Sequence, residues 1–383
     1  MEHYDVIVAG AGAMGMSAGY HLAAKGKRTL LIDAHEPPHS HGSHHGDTRI
    51  IRHAYGEGRA YTPMALRAQS LWGELERETG RQLFVQTGFL QAGEPGSRMI
   101  EEMRQSAAEH GLPTELIDRA EIRRRWPALS LPESHIGCYE ADSGVLLCEA
   151  CIEACREAAE ARGATIVTNA PVTAILPDAE GVTVTVEGEA GRIAYRANAL
   201  VLTAGKLAGP LLRSIGLAPP LTPVRKTVAW FRASGGDYDA ERFPAFLFDL
   251  PEGVFYGFPD MNGSGIKVGR HDGDPRPVPP DGPLLPFGAD PEDGEDVSGY
   301  VRQYMPRAEA IPVKGSACTY TMTPDEHFII DRHPAFPHIA IGVGFSGHGF
   351  KFASAVGEIL SALASGETPL FDIRMFSIER FSR

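Results

Sequence analysis

The first residues whose spacing could do chemistry are Gly10-Ala11-Gly12-Ala13-Met14-Gly15, with Asp33 eighteen residues further on. In a turn between a strand and a helix, the first glycine of Gly-x-Gly-x-x-Gly permits the bend. The second lets backbone approach a pyrophosphate, and the third packs helix on strand. The N–H groups at the helix start then hold the diphosphate, while Asp33 accepts from ribose hydroxyls. A second constellation follows: His35, His39, His41, His44, His45 and His53, six of the 15 histidines, lie beside Gly42, Ser43, Gly46, Arg49 and Arg52. Metal binding and a solvated loop are the plain readings. Converging ligands with backing groups are not evident, and the glycines and two arginines three apart suit a wrap around a polyanionic cofactor. Cys148, Cys151 and Cys155 fall at i, i+3 and i+7 with Val145 and Ile152. That is the pattern of a buried helical stripe, an iron–sulfur site being the other reading of the spacing.

The elements that must position these residues begin with a βαβ unit: a strand Tyr4 to Ala9, the glycine turn, a helix to about Lys25 and a strand Thr29 to Asp33. His35 to His53 reads as an extended loop, and Tyr61 to Thr79 as an amphipathic helix stopped by Gly80. Short strands (Gly88 to Gln91, Ile136 to Tyr139) then mix with helices (Ser97 to His110, Arg119 to Trp126), as expected of an excursion into a second domain. Val145 to Arg162 is predicted as one helix closed by Gly163. Four or five short strands end at Ala199-Leu200-Val201-Leu202-Thr203-Ala204-Gly205, a return to the nucleotide-binding sheet. Thr222 to Arg270 predicts an antiparallel sheet forming the floor or roof of a pocket. Asp272 to Pro291, with seven prolines, predicts a surface loop. A helix Glu295 to Tyr304, strands Val313 to Tyr320, Phe328 to Asp331 and Ile339 to Gly344, and a helix Phe350 to Ala364 complete the chain. The expected organisation is two interleaved domains, 1–80, 145–220 and 321–383 against 81–144 and 221–320. That interruption favours FAD over NAD, which usually has a contiguous domain.

A chain of 383 residues with 43% hydrophobic content can bury a large core. Its 36 Lys+Arg against 49 Asp+Glu give a formal charge of -13, which argues against nucleic acid and anionic membranes as partners. Five cysteines, an odd number, do not make a disulfide framework and fit a reducing compartment. The early first strand leaves no room for a signal peptide, no apolar run reaches a membrane span, and Phe381-Ser382-Arg383 is not a peroxisomal address. The expected location is the cytoplasm.

Longer words carry more information. Gly42 to His53, Ala54-Tyr55-Gly56-Glu57-Gly58, Lys267-Val268-Gly269-Arg270-His271, Ala317-Cys318-Thr319-Tyr320, Asp325 to Asp331 and Gly344 to Phe352 closely resemble the monomeric sarcosine oxidase and N-methyltryptophan oxidase family. The similarity runs from residue 4 to about residue 381. The resemblance implies an α/β fold, in which a glutathione-reductase-like FAD-binding Rossmann domain interleaves with an α+β substrate domain resembling that of D-amino acid oxidase. It implies FAD attached covalently as an 8α-S-cysteinyl thioether, with Cys318 as the attachment residue. It also implies a monomer that oxidises a small N-methyl amino acid with O2 and binds no metal, yielding the amino acid, formaldehyde and hydrogen peroxide. An N-methyl-L-tryptophan oxidase, or an oxidase of pipecolate or proline, is the alternative.

By the same resemblance, Arg52 and Lys351 serve the substrate carboxylate, Tyr320, Leu247 and His348 line the substrate site, and Lys267 activates oxygen. Arg49, Tyr256 and His271 act in catalysis. Cofactor contacts are expected from Gly10, Gly12, Gly15, Asp33, Ser43, Thr48, Arg49, Val172, Cys318, Gly347, His348, Gly349 and Lys351. The Gly347-His348-Gly349 turn is expected to aim backbone N–H groups at the flavin, and Tyr55, Tyr61, Phe258, Tyr320 and His348 to form an aromatic cage. Phe243 to Leu247 and Pro223 to Trp230 lie closer to the N-methyltryptophan branch, while Asp142 to Leu146 and Phe345 lean to the sarcosine branch. A broad N-methyl amino acid preference is expected from that mixture.

Overall fold

The computed structural model describes residues 2–188, 191–273 and 276–381. Ser382, Arg383 and two positions of the proline-rich loop, 274 and 275, thus lie outside the described residues, and with them the reading of the C-terminal tripeptide.

The first strand, Glu2–Ala9, pairs in parallel with Thr29–Ile32 on one side and with Gly191–Leu202 on the other. Its Val6-Ile7-Val8 run is buried on both faces, as a central parallel strand requires. Thr165–Val167 extends the sheet beyond Thr29–Ile32, and Ile339–Val343 with Ile329–Arg332 extends it beyond Leu200–Leu202. The hairpin Val172–Asp178 and Gly181–Gly188 pairs with the first half of Gly191–Leu202, completing an eight-stranded sheet. Helices Ala13–Ala24, Cys148–Glu160 and Ala353–Ala364 cover one face, burying Met16, Leu22, Ile152, Val356 and Leu360 against Val6, Val8 and Val201.

A nine-stranded, mainly antiparallel sheet is built from residues 89–140 and 222–322. The helix Glu295–Tyr304 packs Val297, Tyr300 and Val301 on its Phe246, Phe248 and Phe255. A buried ion pair, Arg225 to Asp293 at 2.6 Å, ties the proline-rich segment to the strand Thr222–Ala233. The first part of that segment bonds to the sheet through Val278 N to Pro223 O and a short Arg276–Pro277 strand.

A third, three-stranded sheet corrects two sequence expectations. Val145 to Leu147 is not helical: Gly144–Leu147 is a strand between Thr48–Ile51 and Phe84–Val85, and the helix starts only at Cys148. The branched side chains of Val145 and Leu146 are fully buried there, and extended backbone satisfies its N–H and C=O groups across two neighbours. The histidine segment correspondingly ends in the strand Thr48–Ile51 instead of remaining loop throughout. Cys148, Cys151 and Cys155 are all buried on the helix, without Val145 as their companion. Among the described residues, no helix is long and apolar enough to cross a membrane.

Candidate active site

The glycine turn opens a long groove lined by residues between Ala9 and Met14, by Asp33 and the histidine segment, and by residues between Gly342 and Phe350. Gly10 has φ 96°, and a Cβ there would lie 2.5 Å from the Thr203 carbonyl oxygen, so only glycine lets the turn pass under the Leu202–Thr203 strand end. Gly15 does not line the groove. A Cβ on it would meet the Gly10 oxygen at 1.9 Å, which is the close helix-to-strand packing expected of the third glycine. Gly10, Gly12, Asp33, Ser43, Val172 and Gly349 all line the groove.

Asp33 accepts from Ala11 N at 2.8 Å and His35 N at 3.0 Å, with His39 Nε2 at 3.2 Å. Burial would raise its carboxyl, but His39 and the backbone donors outweigh that and lower it, so it stays an anion in the groove wall. His35, His39, His41 and His44 also line the groove, His35 and His41 stacked with centroids 3.8 Å apart. Among the described residues, no group of three or more His, Cys, Asp or Glu converges as a metal site.

A second cavity meets this groove at Arg49, Tyr320, Gly347 and Phe350, which line both. Its floor comes from one row of the nine-stranded sheet, where Gln91, Leu247, Tyr256 and Gly269 are successive cross-strand partners. A Cβ at Gly269 would lie 2.6 Å from the Tyr256 hydroxyl, so glycine there leaves room for the phenol to lie across the row. Tyr256 Oη is 3.3 Å from Tyr320 Oη, and burial pushes the Tyr256 phenol up to about 12. Leu247, Phe258, His271, Cys318, His348 and Lys351 complete the predicted residues found in the walls. Tyr55 and Tyr61 are not in the walls: both are fully buried behind them, Tyr55 Oη 2.8 Å from His348 Nδ1.

Four cations line the cavity, and besides Arg52 the other three, Arg49, Lys267 and Lys351, are each held differently. Arg49 donates to the Ser43 and His45 carbonyls at 2.8 Å and to Thr48 O at 2.7 Å, lying 5.9 Å from the Phe350 ring centre. Lys267 Nζ donates to Gly46 O at 2.6 Å and Thr48 O at 2.9 Å, and burial, then the Arg49 charge, push it down to about 7. Lys351 Nζ donates to His348 O at 3.0 Å and Tyr55 Oη at 3.2 Å. Burial and Arg52 hold it at about 7 against the opposing pull of Glu57. Burial and Lys351 lower His348 to about 3, leaving it neutral.

Thr48 corrects an expectation. It lines neither cavity and is 2% exposed, its hydroxyl 3.3 Å from Lys267 Nζ, so it holds the lysine and does not face the groove. Likewise Lys351 and Cys318 face the second cavity and not the groove. In the glycine turn, His348 N donates to Phe345 O at 3.1 Å, so that N–H is already committed.

Sequence reasoning missed Glu57 and Gln91. Arg52 Nη2 is bound by both carboxylate oxygens of Glu57 and its Nη1 donates to Gln91 Oε1 at 2.8 Å. Burial works to raise the Glu57 carboxyl, but Arg52 and then Lys351 hold it at about 2. An acidic residue between two glycines, five positions after Arg52, was the available signal.

The FAD dependent oxidoreductase (DAO) family model matches residues 5–363. The chain is 46% identical to a monomeric sarcosine oxidase of Bacillus sp. (strain NS-129), over 99% of this chain and 97% of that protein. It is 40% identical to an N-methyl-L-tryptophan oxidase of Yersinia pestis (strain Pestoides F), over 99% of each. The L-proline dehydrogenase structure from P. horikoshii superposes with a TM-score of 0.85 at 22% identity, covering 100% of this chain and 98% of that one, a likeness of fold. With its dinucleotide groove and adjoining cationic cavity, the chain belongs to the FAD dependent oxidoreductase (DAO) family, as a flavin-dependent amine oxidase.

Proposed function

We propose that this protein oxidatively demethylates small N-methyl amino acids with O2, giving the amino acid, formaldehyde and hydrogen peroxide. The observation that carries the reading is the cavity holding Arg52 and Lys351 among aromatic walls, joined to the dinucleotide groove at Arg49, Tyr320, Gly347 and Phe350. The 46% identity to a monomeric sarcosine oxidase supports the substrate class.

The groove fits FAD. The glycine surface at Gly10 and Gly12 and the Asp33 carboxylate match a dinucleotide whose diphosphate lies on the helix start and whose ribose bonds an acid. Ser43, Val172, Arg49 and Gly349 would flank it. Bound there, FAD supplies the two-electron acceptor for the substrate C–H bond and delivers the electrons to O2.

The residues of the chain do the remaining work. Arg52 and Lys351 hold the substrate carboxylate, and because Arg52 is already bound by Glu57, the incoming anion must compete with that carboxylate. Leu247, Tyr256, Phe258 and Tyr320 exclude water, and the three aromatic rings among them offer their faces to the methylated nitrogen. The nearby positive charge and the burial lower the amine pKa, so that the amine loses its proton without a strong base. Lys267, carried on the carbonyls of Gly46 and Thr48, places positive charge where O2 becomes anionic.

Cys318 is the proposed point of covalent attachment to the 8α carbon. It is a wall residue of the cavity, next to Thr319 and Tyr320, which line the groove. Burial raises its thiol, and Arg49 and Lys267 draw it back toward the nucleophilic thiolate. Acid precipitation should leave the pellet yellow, and Cys318→Ser should release the colour to the supernatant.

We further propose a monomer whose FAD unit comprises 1–80, 145–220 and 321–383, its substrate unit comprising 81–144 and 221–320, acting in the cytoplasm. The eight-stranded sheet draws its strands from the first set and the nine-stranded sheet draws nearly all of its strands from the second. The functional test is a peroxide assay over sarcosine, N-methyl-L-alanine, N-methyl-L-tryptophan, L-proline, L-pipecolate and D-alanine. Turnover of the first two is expected. Peroxide from the cyclic or D-amino acids alone would overturn the reading.

A further inference from the structure

Behind the cavity wall lies a lysine that the reaction outlined above does not use. Lys226 sits on the strand Thr222–Ala233, directly opposite Cys318 in register, on the same face as Cys318 and Tyr320. Its half-buried ammonium leans past the Tyr320 ring, 5.9 Å from the centroid. It donates to His271 O at 3.0 Å and to Gly273 O at 2.8 Å. These two carbonyls belong to the chain just after it leaves the strand Ile266–Arg270, at the point where His271 enters the cavity wall.

We propose that Lys226 is a positioning residue for the substrate pocket: it clamps the His271 and Gly273 carbonyls to the strand beside Cys318 and so fixes where the His271 imidazole stands. The inference rests on reading this cavity as the substrate site.

Two further observations give the clamp its significance. His271 N donates to Val254 O at 2.8 Å, and Asp272 accepts from Val254 N and Arg270 Nε at 3.0 Å each. Those bonds fasten the turn to its own hairpin, whereas Lys226 fastens it across to the strand pair that carries Cys318 and Tyr320. The imidazole of His271 lies with its centroid 6.2 Å from that of Tyr320. The charged groups acting on it are Glu57, Glu326, Lys351 and Lys226, with Arg270 and Asp272 as chain neighbours. Burial lowers its pKa first; Lys226 and Lys351 lower it further, and Glu57 and Glu326 oppose them. Lys226 therefore both places the ring and favours its neutral form.

The test uses the holoenzyme and three variants. Lys226→Met removes charge and hydrogen bonds, Lys226→Gln keeps one amide donor, and Lys226→Arg keeps charge and donors. The His271 pKa is read by NMR of labelled imidazoles, assigned with His271→Asn, and KM by the peroxide assay with whichever acid is turned over. Expected are a higher His271 pKa in both uncharged variants and a KM raised about tenfold in Lys226→Met, with kcat changed less. Lys226→Arg should restore both, and the flavin retained after acid precipitation should be unchanged. In a His271→Asn background, Lys226→Met should raise KM no further. An unmoved His271 pKa, or a KM effect that persists undiminished in that background, overturns the proposal. If Lys226→Met does not fold, Lys226→Gln decides by the same pKa reading. If no N-methyl acid is turned over, the functional reading fails while the pKa measurement still decides on the clamp.

Discussion

Lys351 makes a strong quantitative demand on the proposed carboxylate site. The residue is 7% exposed and its ammonium is held at about 7 by burial and Arg52, so the pocket without ligand loses this charge as pH rises through neutrality. A carboxylate about 4 Å away, at an effective dielectric of about 20, stabilises the charged form by about 4 kcal/mol. At 1.36 kcal/mol per pH unit that is about three units, so the lysine in the complex titrates near about 10. Between about 7 and 10, binding therefore takes up a proton, and Kd rises about tenfold per pH unit, or about a hundredfold from pH 7 to 9. Below about pH 7 both states are charged and Kd is flat. The assay is a titration with methoxyacetate, which carries no amine to titrate, followed by the visible absorption of the flavin. Lys351→Met should bind weakly with no slope and meet the wild type near pH 10. Lys267→Met should keep the slope, because the charges acting on Lys267 are those of Arg49 and Asp47 and not of the Arg52–Glu57 pair that acts on Lys351. A flat wild-type profile, or an equal slope in Lys351→Met, would refute the reasoning.

Other expectations follow from the same contacts. Glu57→Gln should tighten methoxyacetate about tenfold at pH 6, since Arg52 no longer satisfies a competing carboxylate; unchanged or weaker binding would remove Glu57 as a competitor. Gly15→Ala forces a Cβ to 1.9 Å from the Gly10 oxygen and should abolish flavin incorporation, read as the 450 nm to 280 nm absorbance ratio of purified protein. Asp293→Ala leaves Arg225 charged and buried and should cost about 3–5 kcal/mol in urea denaturation; a loss below about 1 kcal/mol would show that the pair is not buried in solution.

The dinucleotide unit was legible because its signals are local. Strand, glycine turn, helix and Asp33 occupy thirty-odd consecutive positions, and Gly80 closes its helix with φ 68° as such a stop should. Val145 to Leu147 was misread because its apolar spacing also suits a helix. The strand that claims it, Thr48–Ile51, lies about a hundred residues earlier, where periodicity cannot look. The cavity residues were found through long motifs, which reveal residue types but not pairings. Arg52 was identified, yet its capture by Glu57 and Gln91 depends on how residues 52, 57 and 91 meet in space. Tyr55 and Tyr61 were displaced from the cage for the same reason: aromatic composition cannot distinguish a wall from the layer supporting it.

The chain passes from the eight-stranded sheet to the nine-stranded one and back twice, and the small sheet of Thr48–Ile51, Gly144–Leu147 and Phe84–Val85 ties the first outward crossing to its return. Neither half is therefore a contiguous polypeptide that a protease could release or an expression clone could isolate. A nick at any exposed crossing would leave both pieces interlocked and the flavin in place. Heat should melt both sheets in one transition, because opening either one frees the chain crossings that anchor the ends of strands in the other.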